Sequence, residues 1–337
     1  DCLMQYSGGK DSTFALYKLV EMGMNPLVFS FDNGFIPESA KDNVCRIVED
    51  LGLDLHWGTT PAMNEIFVDS LRRFSNVCNG CQKVINTMSV TLASEHSIQY
   101  IFTGLSRGQS FETRVADLLN IGVTDIEEID QAVIEARKAY HHMDDAVNKY
   151  LDVSVFDDET VFERIQFIDF YRYYDVPLAE VLEFLNTQTP WTRPTDTGRS
   201  TNCLINEAGI HIHKKERGYH NYASPYSWDV RLGHKMRDSA LKELEDDIDE
   251  TRVNRMLKEI GYEPDEKARR SSDRRIAAYY VGKREFTPEE LRTSLSRPLP
   301  PYMIPAYFLP MQSFPLSATG KVDHRALPLP GDNEQPR

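Results

Sequence analysis

The stretch Cys2–Ser12 has the sequence CLMQYSGGKDS, in which an apolar run leads into a glycine-rich loop. The run Cys2–Tyr6 has the length and composition of a buried strand, and Ser12–Met22 carries apolar residues at helical spacing. The loop between them puts two glycines and a lysine at the start of the predicted helix. Backbone N–H groups are free there and the helix dipole is positive, so the stretch predicts an anion site.

Strand and helix patterns continue to alternate beyond this first unit. Pro26–Phe31 and Tyr100–Thr103 are short apolar runs typical of strands, whereas Ile85–Glu95 has helical spacing. Repeated strand–helix units predict an α/β fold: a Rossmann-like parallel sheet with helices on both faces.

Composition limits the class of protein and its partners. The chain has 337 residues, and its 38 Lys and Arg against 52 Asp and Glu give a formal net charge of −14. We expect nucleic acid to be a disfavoured partner, because binding it requires many phosphate-neutralising cations. No apolar run is long enough to span a bilayer and the first residues do not resemble a signal peptide, so we expect a cytoplasmic protein without a membrane partner.

The hexapeptide Ser7–Ser12, SGGKDS, does not have the spacing of Walker-type nucleoside triphosphatases. In its strand–loop–helix setting it resembles the PP-loop of the N-type ATP pyrophosphatases, which include tRNA thiolases and the argininosuccinate and GMP synthetases. The resemblance implies that ATP, with Mg²⁺, is cleaved between its α and β phosphates to adenylate a substrate oxygen. It implies that the pyrophosphate is held by Ser7, Gly8, Gly9, Lys10, Asp11 and Ser12, with Lys10 and Ser12 in catalytic roles.

Two further strand ends fit the same architecture, since parallel sheets bind ligands beyond the carboxyl ends of their strands. By resemblance, Asp32 in the first lies near adenosine, and Gly104 in the second lies near the nucleotide or the adenylated substrate. Arg107 is a candidate for stabilising phosphate charge, with an ordinary surface arginine as the alternative.

Three of the five cysteines form a candidate metal site. Cys78 and Cys81 have a spacing that lets two thiolates reach one metal ion. Cys203 follows a segment, 167–180, that resembles the one before the third cysteine of PP-loop tRNA 2-thiolation enzymes, which implies an iron–sulfur cluster. The residues alone leave three alternatives: that cluster, zinc with a fourth ligand, or free or redox-active thiols. The candidate fourth ligands are His211, His213 and His220.

The remaining two cysteines, Cys2 and Cys45, are expected to be buried apolar side chains. The stretch 125–183 is acidic and reads as helical, whereas Pro190–Arg237 carries eight Lys and Arg against four acids and is the expected substrate region. Within it, His211–Arg217 alternates like a strand that would place both histidines on one face.

The last part of the chain carries a second resemblance. Pro300–Pro305, PPYMIP, and Phe314–Leu327, FPLSATGKVDHRAL, resemble the end of nonribosomal peptide synthetase adenylation domains. The resemblance implies that Lys321 is either a remnant or a lysine that reaches an adenylate, and it places the chain beside synthetase modules, with a carrier domain expected after Arg337. Residues 275–281 are predicted to form a strand, and Pro288–Leu295 a helix capped by Thr287.

These patterns predict five segments: a PP-loop core 1–123, a helical extension 124–262, a linker 263–273, a small α+β appendage 274–330 and a tail 331–337. The predicted function is an AMP-forming adenylating enzyme that acts on a small or carrier-bound substrate, for amide formation or sulfur transfer. The alternatives are a tRNA 2-thiolation enzyme and a nucleotide-binding scaffold for peptide synthetase modules, and an oligomer is compatible with each.

Overall fold

The computed structural model describes residues 1–115, 118–119, 123–193, 202–245, 248–263, 276–282, 284, 286–295, 304–315, 322 and 327–328. The chain divides into two compact units, Asp1–Glu263 and Pro264–Arg337, and each is described by itself. The predicted linker 263–273 beyond its first residue, Lys321 and the predicted tail 331–337 lie outside the described residues.

A five-stranded parallel sheet forms the centre of the first unit, in the order β3-β2-β1-β4-β5. Its strands are β1 (Cys2–Gln5), β2 (Pro26–Phe31), β3 (Leu55–Gly58), β4 (Tyr100–Thr103) and β5 (Gln166–Asp169). Leu3 of β1 is in register with Leu27 on one side and Ile101 on the other. The strand order reverses at β1, so the loop after β1 opens at the switch point where such sheets bind ligands. The predicted α/β class with a Rossmann-like parallel sheet is confirmed.

Helices surround this sheet. Before β5 they are α1 (Lys10–Glu21), α2 (Glu38–Leu51), α3 (Met63–Phe74), α4 (Cys78–Glu95), α5 (Arg107–Arg114), α6 (Ile126–His141), α7 (Ala146–Tyr150) and α8 (Val161–Arg164). After β5 they are α9 (Phe170–Tyr173), α10 (Leu178–Gln188), α11 (Asn206–Arg217), α12 (Ala223–Arg231), α13 (Arg237–Leu244) and α14 (Glu250–Glu259).

The two faces of the sheet bury separate cores because alternate strand residues point in opposite directions. Leu3 joins a core with Phe67 of α3 and Val84 of α4. Its neighbour Met4 joins the other core with Leu16 of α1 and Ile47 of α2. β1 is therefore buried on both faces, which fixes the strand end from which the glycine-rich loop emerges.

Two strands of this sheet lie where the sequence did not predict them. β3 is short and half-polar, and β5 lies inside the acidic stretch that was read as helical. β5 pairs with β4, with Gln166 opposite Tyr100. Sheet pairing supplies these strands with backbone partners, which outweighs their weak local preference. The sheet of the first unit thus draws its last strand from beyond residue 123.

The expected strand His211–Arg217 is wrong, because these residues belong to helix α11. Residues two apart on a helix are separated by about 200°, so His211 and His213 face different directions. The alternation arises because Ile210 and Ile212 are both buried in the helix packing. The expectation for Cys45 is also wrong: it is exposed on α2, whereas Cys2 is buried as predicted.

The second unit contains a parallel pair of strands, β6 (Ala277–Tyr280) and β7 (Tyr307–Pro310), and helix α15 (Pro288–Leu295). The predicted strand and helix are both present. Thr287 caps the helix as expected, since its hydroxyl accepts a 3.2 Å hydrogen bond from the N–H of Glu290. Among the described residues, no helix has both the length and the apolar character of a membrane span.

Candidate nucleotide and thiol site

The glycine-rich loop leads directly into the N-terminus of a helix. Gly9 is the N-cap residue of α1, and in the described part of the chain no side chain caps this helix start. Free N–H groups at a helix start bind anions, and Lys10 adds a full positive charge in the first turn. The start of α1 therefore has the geometry of an anion site, and phosphate binding by this loop stays a prediction.

Side chains from distant parts of the first unit hold the loop from outside. The carbonyl oxygen of Ser7 accepts a 2.7 Å hydrogen bond from Asn202 Nδ2, and that of Gly8 accepts a 3.0 Å bond from Trp191 Nε1. Gly8 has a φ of +72°, and a Cβ there would lie 2.7 Å from Val44 Cγ2 and 3.2 Å from Asn202 Nδ2. Only glycine fits both the backbone angle and this close approach.

Hydroxyl groups of the loop bond to one another. The Ser7 and Ser12 hydroxyls lie 3.0 Å apart, and Ser12 Oγ also donates to the Gly9 carbonyl over 3.1 Å. Lys10 pairs with its neighbour Asp11. These contacts keep the serines, the lysine and the aspartate of the predicted loop within one turn of α1.

The end of β4 lies directly against this loop. A Cβ on Gly104 would come within 2.6 Å of Ser12 Cα, a backbone contact that cannot relax by moving a side chain. Gly104 is therefore required for the close approach of the β4 end to the start of α1. This places Gly104 beside the glycine-rich loop, and its expected position near the nucleotide or the adenylated substrate stays a prediction.

A cavity of about 340 Å³ opens at this strand end and joins the loop to the cysteines. Its lining includes the loop residues Ser7, Gly9, Lys10, Asp11 and Ser12 together with Cys78, Cys81 and Cys203. The rest of the lining is apolar or uncharged, with the amides Gln5, Asn33, Gln82, Gln109, Asn202 and Asn206 and aromatic rings such as Phe31, Trp57 and Tyr222. Among the lining residues that the structure describes, only Lys10 and Asp11 carry charged side chains.

The three thiols are neighbours in this cavity. Asn33 Nδ2 donates to Cys203 Sγ over 3.2 Å and contacts Cys81 Sγ at 3.7 Å. Cys78 Sγ donates to Asn206 Oδ1 over 3.4 Å, and the same oxygen accepts from the Tyr222 hydroxyl. Residues 128 positions apart in sequence are thus brought together beside the phosphate loop.

Burial determines the protonation of these thiols. Desolvation raises the pKa of Cys78 to about 12 and also raises the pKa of Cys81. The pKa of Cys203 is raised for the same reason, although the Asn33 hydrogen bond opposes the shift. The free thiols are therefore neutral at pH 7, and deprotonation requires a compensating positive charge such as a metal ion.

The donor type suits iron–sulfur clusters or zinc, because three thiols from two segments line one cavity. As they stand, however, no three His, Cys, Asp or Glu side chains in the described part of the chain are grouped closely enough to hold a metal ion. His211, His213 and His220, the predicted fourth ligands for zinc, do not line this cavity. The metal therefore stays a prediction.

Three predicted site residues, Gly8, Asp32 and Arg107, are not part of the cavity lining, and Gly8 lies between the lining residues Ser7 and Gly9. Arg107 pairs with Asp175 at 2.5 Å and donates to the Tyr171 carbonyl, and Asp32 pairs with Lys41 at 2.7 Å. Asp32 is nevertheless close enough to Cys203 to raise the pKa of that thiol. The roles of all three residues toward ATP stay predictions.

Several residues of the site were not singled out from the sequence. Asn33, Asn202 and Asn206 contact the thiols or the loop, but asparagine has no spacing pattern that marks such a role. Asn33 does follow Asp32 at a predicted strand end, and Asn202 precedes a candidate metal ligand. Adjacency to a candidate site residue was the only available signal.

No protein-family model matches the chain. An uncharacterized protein of Methanocaldococcus jannaschii is 25% identical over 250 residues, which cover 72% of each protein. Surfactin synthase subunit 1 of Bacillus subtilis is 43% identical over 63 residues, 19% of this chain and 2% of that protein. Tyrocidine synthase 3 of Brevibacillus parabrevis is 49% identical over 55 residues, 16% of this chain and 1% of that protein. The chain thus corresponds to a very small part of these synthetases.

Two solved structures resemble the fold at low identity. A U34-tRNA thiolase of Methanococcus maripaludis, solved with its 4Fe–4S cluster, is 17% identical, with 77% of this chain and 82% of that chain covered and a TM-score of 0.36. An NMN synthetase of Francisella tularensis is 13% identical, with 78% and 87% covered and a TM-score of 0.32. The fold class itself rests on the parallel sheet and its strand order.

Proposed function

We propose that this chain is an AMP-forming ATP pyrophosphatase that adenylates a substrate oxygen and passes the activated carbon to nitrogen or sulfur. One observation carries the proposal: the uncapped start of α1, with Lys10, opens into the same cavity as three thiols and a neutral polar lining. The loop would hold the β and γ phosphates of ATP, with Mg²⁺ offsetting their charge. A cytoplasmic location is part of the proposal.

The reaction has two balanced steps. The substrate oxygen attacks the α phosphorus, the α–β bridging P–O bond breaks, and pyrophosphate leaves with the bonding electrons. Ammonia, an amine or a sulfur nucleophile then adds to the activated carbon, and AMP leaves with the original oxygen. The backbone N–H groups of the loop and Lys10 stabilise the charge that develops on the leaving pyrophosphate.

The cavity lining favours an amide oxygen over a carboxylate as the acceptor. Beyond the loop its polar groups are neutral amides and hydroxyls, which pair well with an uncharged carbonyl. Among the described lining residues Lys10 is the only lysine or arginine, and it lies in the loop, so a carboxylate beyond the loop would have no described lining cation to balance its charge. We therefore infer that the substrate presents a neutral carbonyl group to the α phosphate.

Sulfur transfer is the version that the thiols favour, since Cys78, Cys81 and Cys203 line the cavity that would hold the adenylate. Thiolate ligands holding a metal would supply an open coordination position for sulfur. The tRNA thiolation alternative needs a phosphate-binding surface, against which the net charge of −14 counts. Filter binding with bulk tRNA at physiological salt distinguishes a tRNA substrate from a small or carrier-bound one. Tight binding would favour the tRNA alternative.

The pathway part of the proposal rests on the peptide synthetase matches of 63 and 55 residues. We propose that the chain works beside peptide synthetase modules on a small or carrier-bound substrate. A scaffold role, the other alternative, predicts capture of a carrier domain and ATP binding without turnover.

An oxygen-labelling experiment tests the adenylation step. The protein is incubated with MgATP, ammonium or sulfide, and a panel of small primary amides and carboxylates labelled with ¹⁸O. The proposal predicts ¹⁸O in the AMP formed with at least one amide probe, and none with the Lys10→Ala variant. Labelled inorganic phosphate together with ADP would instead identify a γ-phosphate kinase-type reaction and contradict the proposal.

A further inference from the structure

The segment that carries Cys203 also holds the phosphate loop. Asn202 is 8% exposed, and its Nδ2 donates to the Ser7 carbonyl over 2.7 Å. The next residue, Cys203, is bonded on its other side by Asn33 Nδ2. Asn202 thus contacts the phosphate loop, while its neighbour Cys203 is one of the three thiols on the other side of the cavity.

The contact with Ser7 also sets the direction of a loop N–H group. The peptide plane that contains the Ser7 carbonyl also contains the N–H of Gly8, and in a trans peptide the two point in opposite directions. The chain has no cis peptide bond among the residues that the structure describes. Holding the carbonyl from one side therefore holds the Gly8 N–H on the other, and Trp191 does the same for Gly9 through the Gly8 carbonyl.

The Asn202 segment is itself anchored by its backbone. The N–H of Leu204 donates to the Phe35 carbonyl over 3.0 Å, and α11 begins two residues later at Asn206. A shift of the phosphate loop on binding an anion would be carried through Asn202 to Cys203. Trp191 differs in this respect, because neither of its neighbours in sequence is a cysteine.

We propose that Asn202 is a positioning residue that couples nucleotide binding at the phosphate loop to the placement of Cys203. The inference rests on the proposed function, in that ATP is taken as the ligand of the loop. Coupling between two sites is reciprocal. Bound nucleotide therefore orders the Cys203 segment, and disorder of the Cys203 segment lowers the affinity for nucleotide. Nucleotide binding would thus stabilise the position of the Cys203 thiol.

The test compares Asn202→Ala with Trp191→Phe, since each removes one hydrogen bond to a loop carbonyl. Affinity is measured by calorimetry with Mg²⁺ and α,β-methylene-ATP, whose α–β bond cannot be hydrolysed. Loss of one such bond is expected to weaken binding by about threefold to tenfold in either variant. Asn202→Leu, which fills the space but donates no hydrogen bond, should match Asn202→Ala.

Hydrogen exchange of the backbone amides in 202–206 gives the decisive readout. With saturating nucleotide, exchange in this segment should slow in the wild-type protein and in Trp191→Phe but not in the two Asn202 variants. The coupling would be overturned if nucleotide slowed exchange in the Asn202 variants as much as in the wild-type protein. It would also be overturned if Trp191→Phe lost this slowing as completely as the Asn202 variants. A wild-type protein that binds no nucleotide would refute the proposed function, and the coupling with it.

Discussion

Gly104 has no room for a side chain, because a Cβ there would lie 2.6 Å from Ser12 Cα. Gly104→Ala is therefore expected to lower the free energy of unfolding by about 1–3 kcal/mol and to weaken α,β-methylene-ATP binding, as α1 is pushed from the strand end. Urea unfolding and calorimetry measure the two effects. Gly52→Ala is the control for the opposite case: Gly52 has a left-handed backbone, with φ +63°, but open space around it. It should lose about 1 kcal/mol and keep its nucleotide affinity. An equal decrease in α,β-methylene-ATP affinity in both variants would contradict the close approach of Gly104 to the loop.

His141 makes stability depend on pH. Its ring stacks on Phe156 at 4.0 Å between centroids, and neither ring nitrogen has a hydrogen-bond partner among the described residues. Burial lowers the pKa of His141 to about 3. In the unfolded chain His141 takes up a proton below about pH 6.5, whereas in the folded chain it stays neutral down to about pH 3. The contribution of His141 to the free energy of unfolding is therefore full above about pH 6.5. It is lost as pH falls toward 3, by up to about 1.4 kcal/mol per pH unit. His141→Phe should remove this dependence, whereas His96→Gln, at an exposed site, should keep it. Urea unfolding at pH 5 and 7.5 checks this, and parallel wild-type and His141→Phe profiles would refute it.

At the scale of elements, α5 and α12 meet through a buried carboxylate. Asp229 on α12 accepts a 2.6 Å hydrogen bond from the Gly108 N–H and a 3.3 Å bond from the Ser106 hydroxyl, both at the start of α5. Burial raises the pKa of Asp229, so the folded state disfavours its charge. This penalty grows as pH rises from the unfolded pKa, about 3.9, toward the folded pKa, and is complete above the folded pKa. Asp229→Asn, which keeps an acceptor without the charge, should stay within about 1 kcal/mol of wild type at pH 7. Asp229→Leu leaves two donors unpaired and should cost about 1–3 kcal/mol. Equal losses in urea unfolding would show that the acceptor does not matter.

Elements also show what the sequence could and could not reveal. The order β1, glycine-rich loop, α1 was predictable because a doubly buried strand, two glycines and a helix start leave local signals. β5 was not, since QFID becomes a strand only by pairing with β4. α11 was misread because alternate isoleucines mimic the period of a strand. At the site, the loop and the cysteines were marked by spacing, whereas Asn33 and Asn202 are defined only by tertiary contacts.

For the whole molecule, the described residues that line the cavity all belong to the unit Asp1–Glu263. A chain that ends at Glu263 should therefore bind α,β-methylene-ATP within about twofold of the full chain, a difference of less than about 0.5 kcal/mol. Calorimetry on both chains measures this, with circular dichroism as the check that the shorter chain is folded. A folded shorter chain with a tenfold weaker affinity would show that Pro264–Arg337 contributes to nucleotide binding.

If the phosphate loop directs cleavage between the α and β phosphates of ATP, the reaction products must show it. The product balance is measured from MgATP with the amide probe panel and ammonium or sulfide, resolved by ion-exchange chromatography. We expect AMP and pyrophosphate in equal amounts, with formation reduced at least about a hundredfold in Lys10→Ala, as for loss of a preorganised electrostatic group. ADP with inorganic phosphate as the products, or AMP formation that Lys10→Ala leaves unchanged, would contradict this expectation.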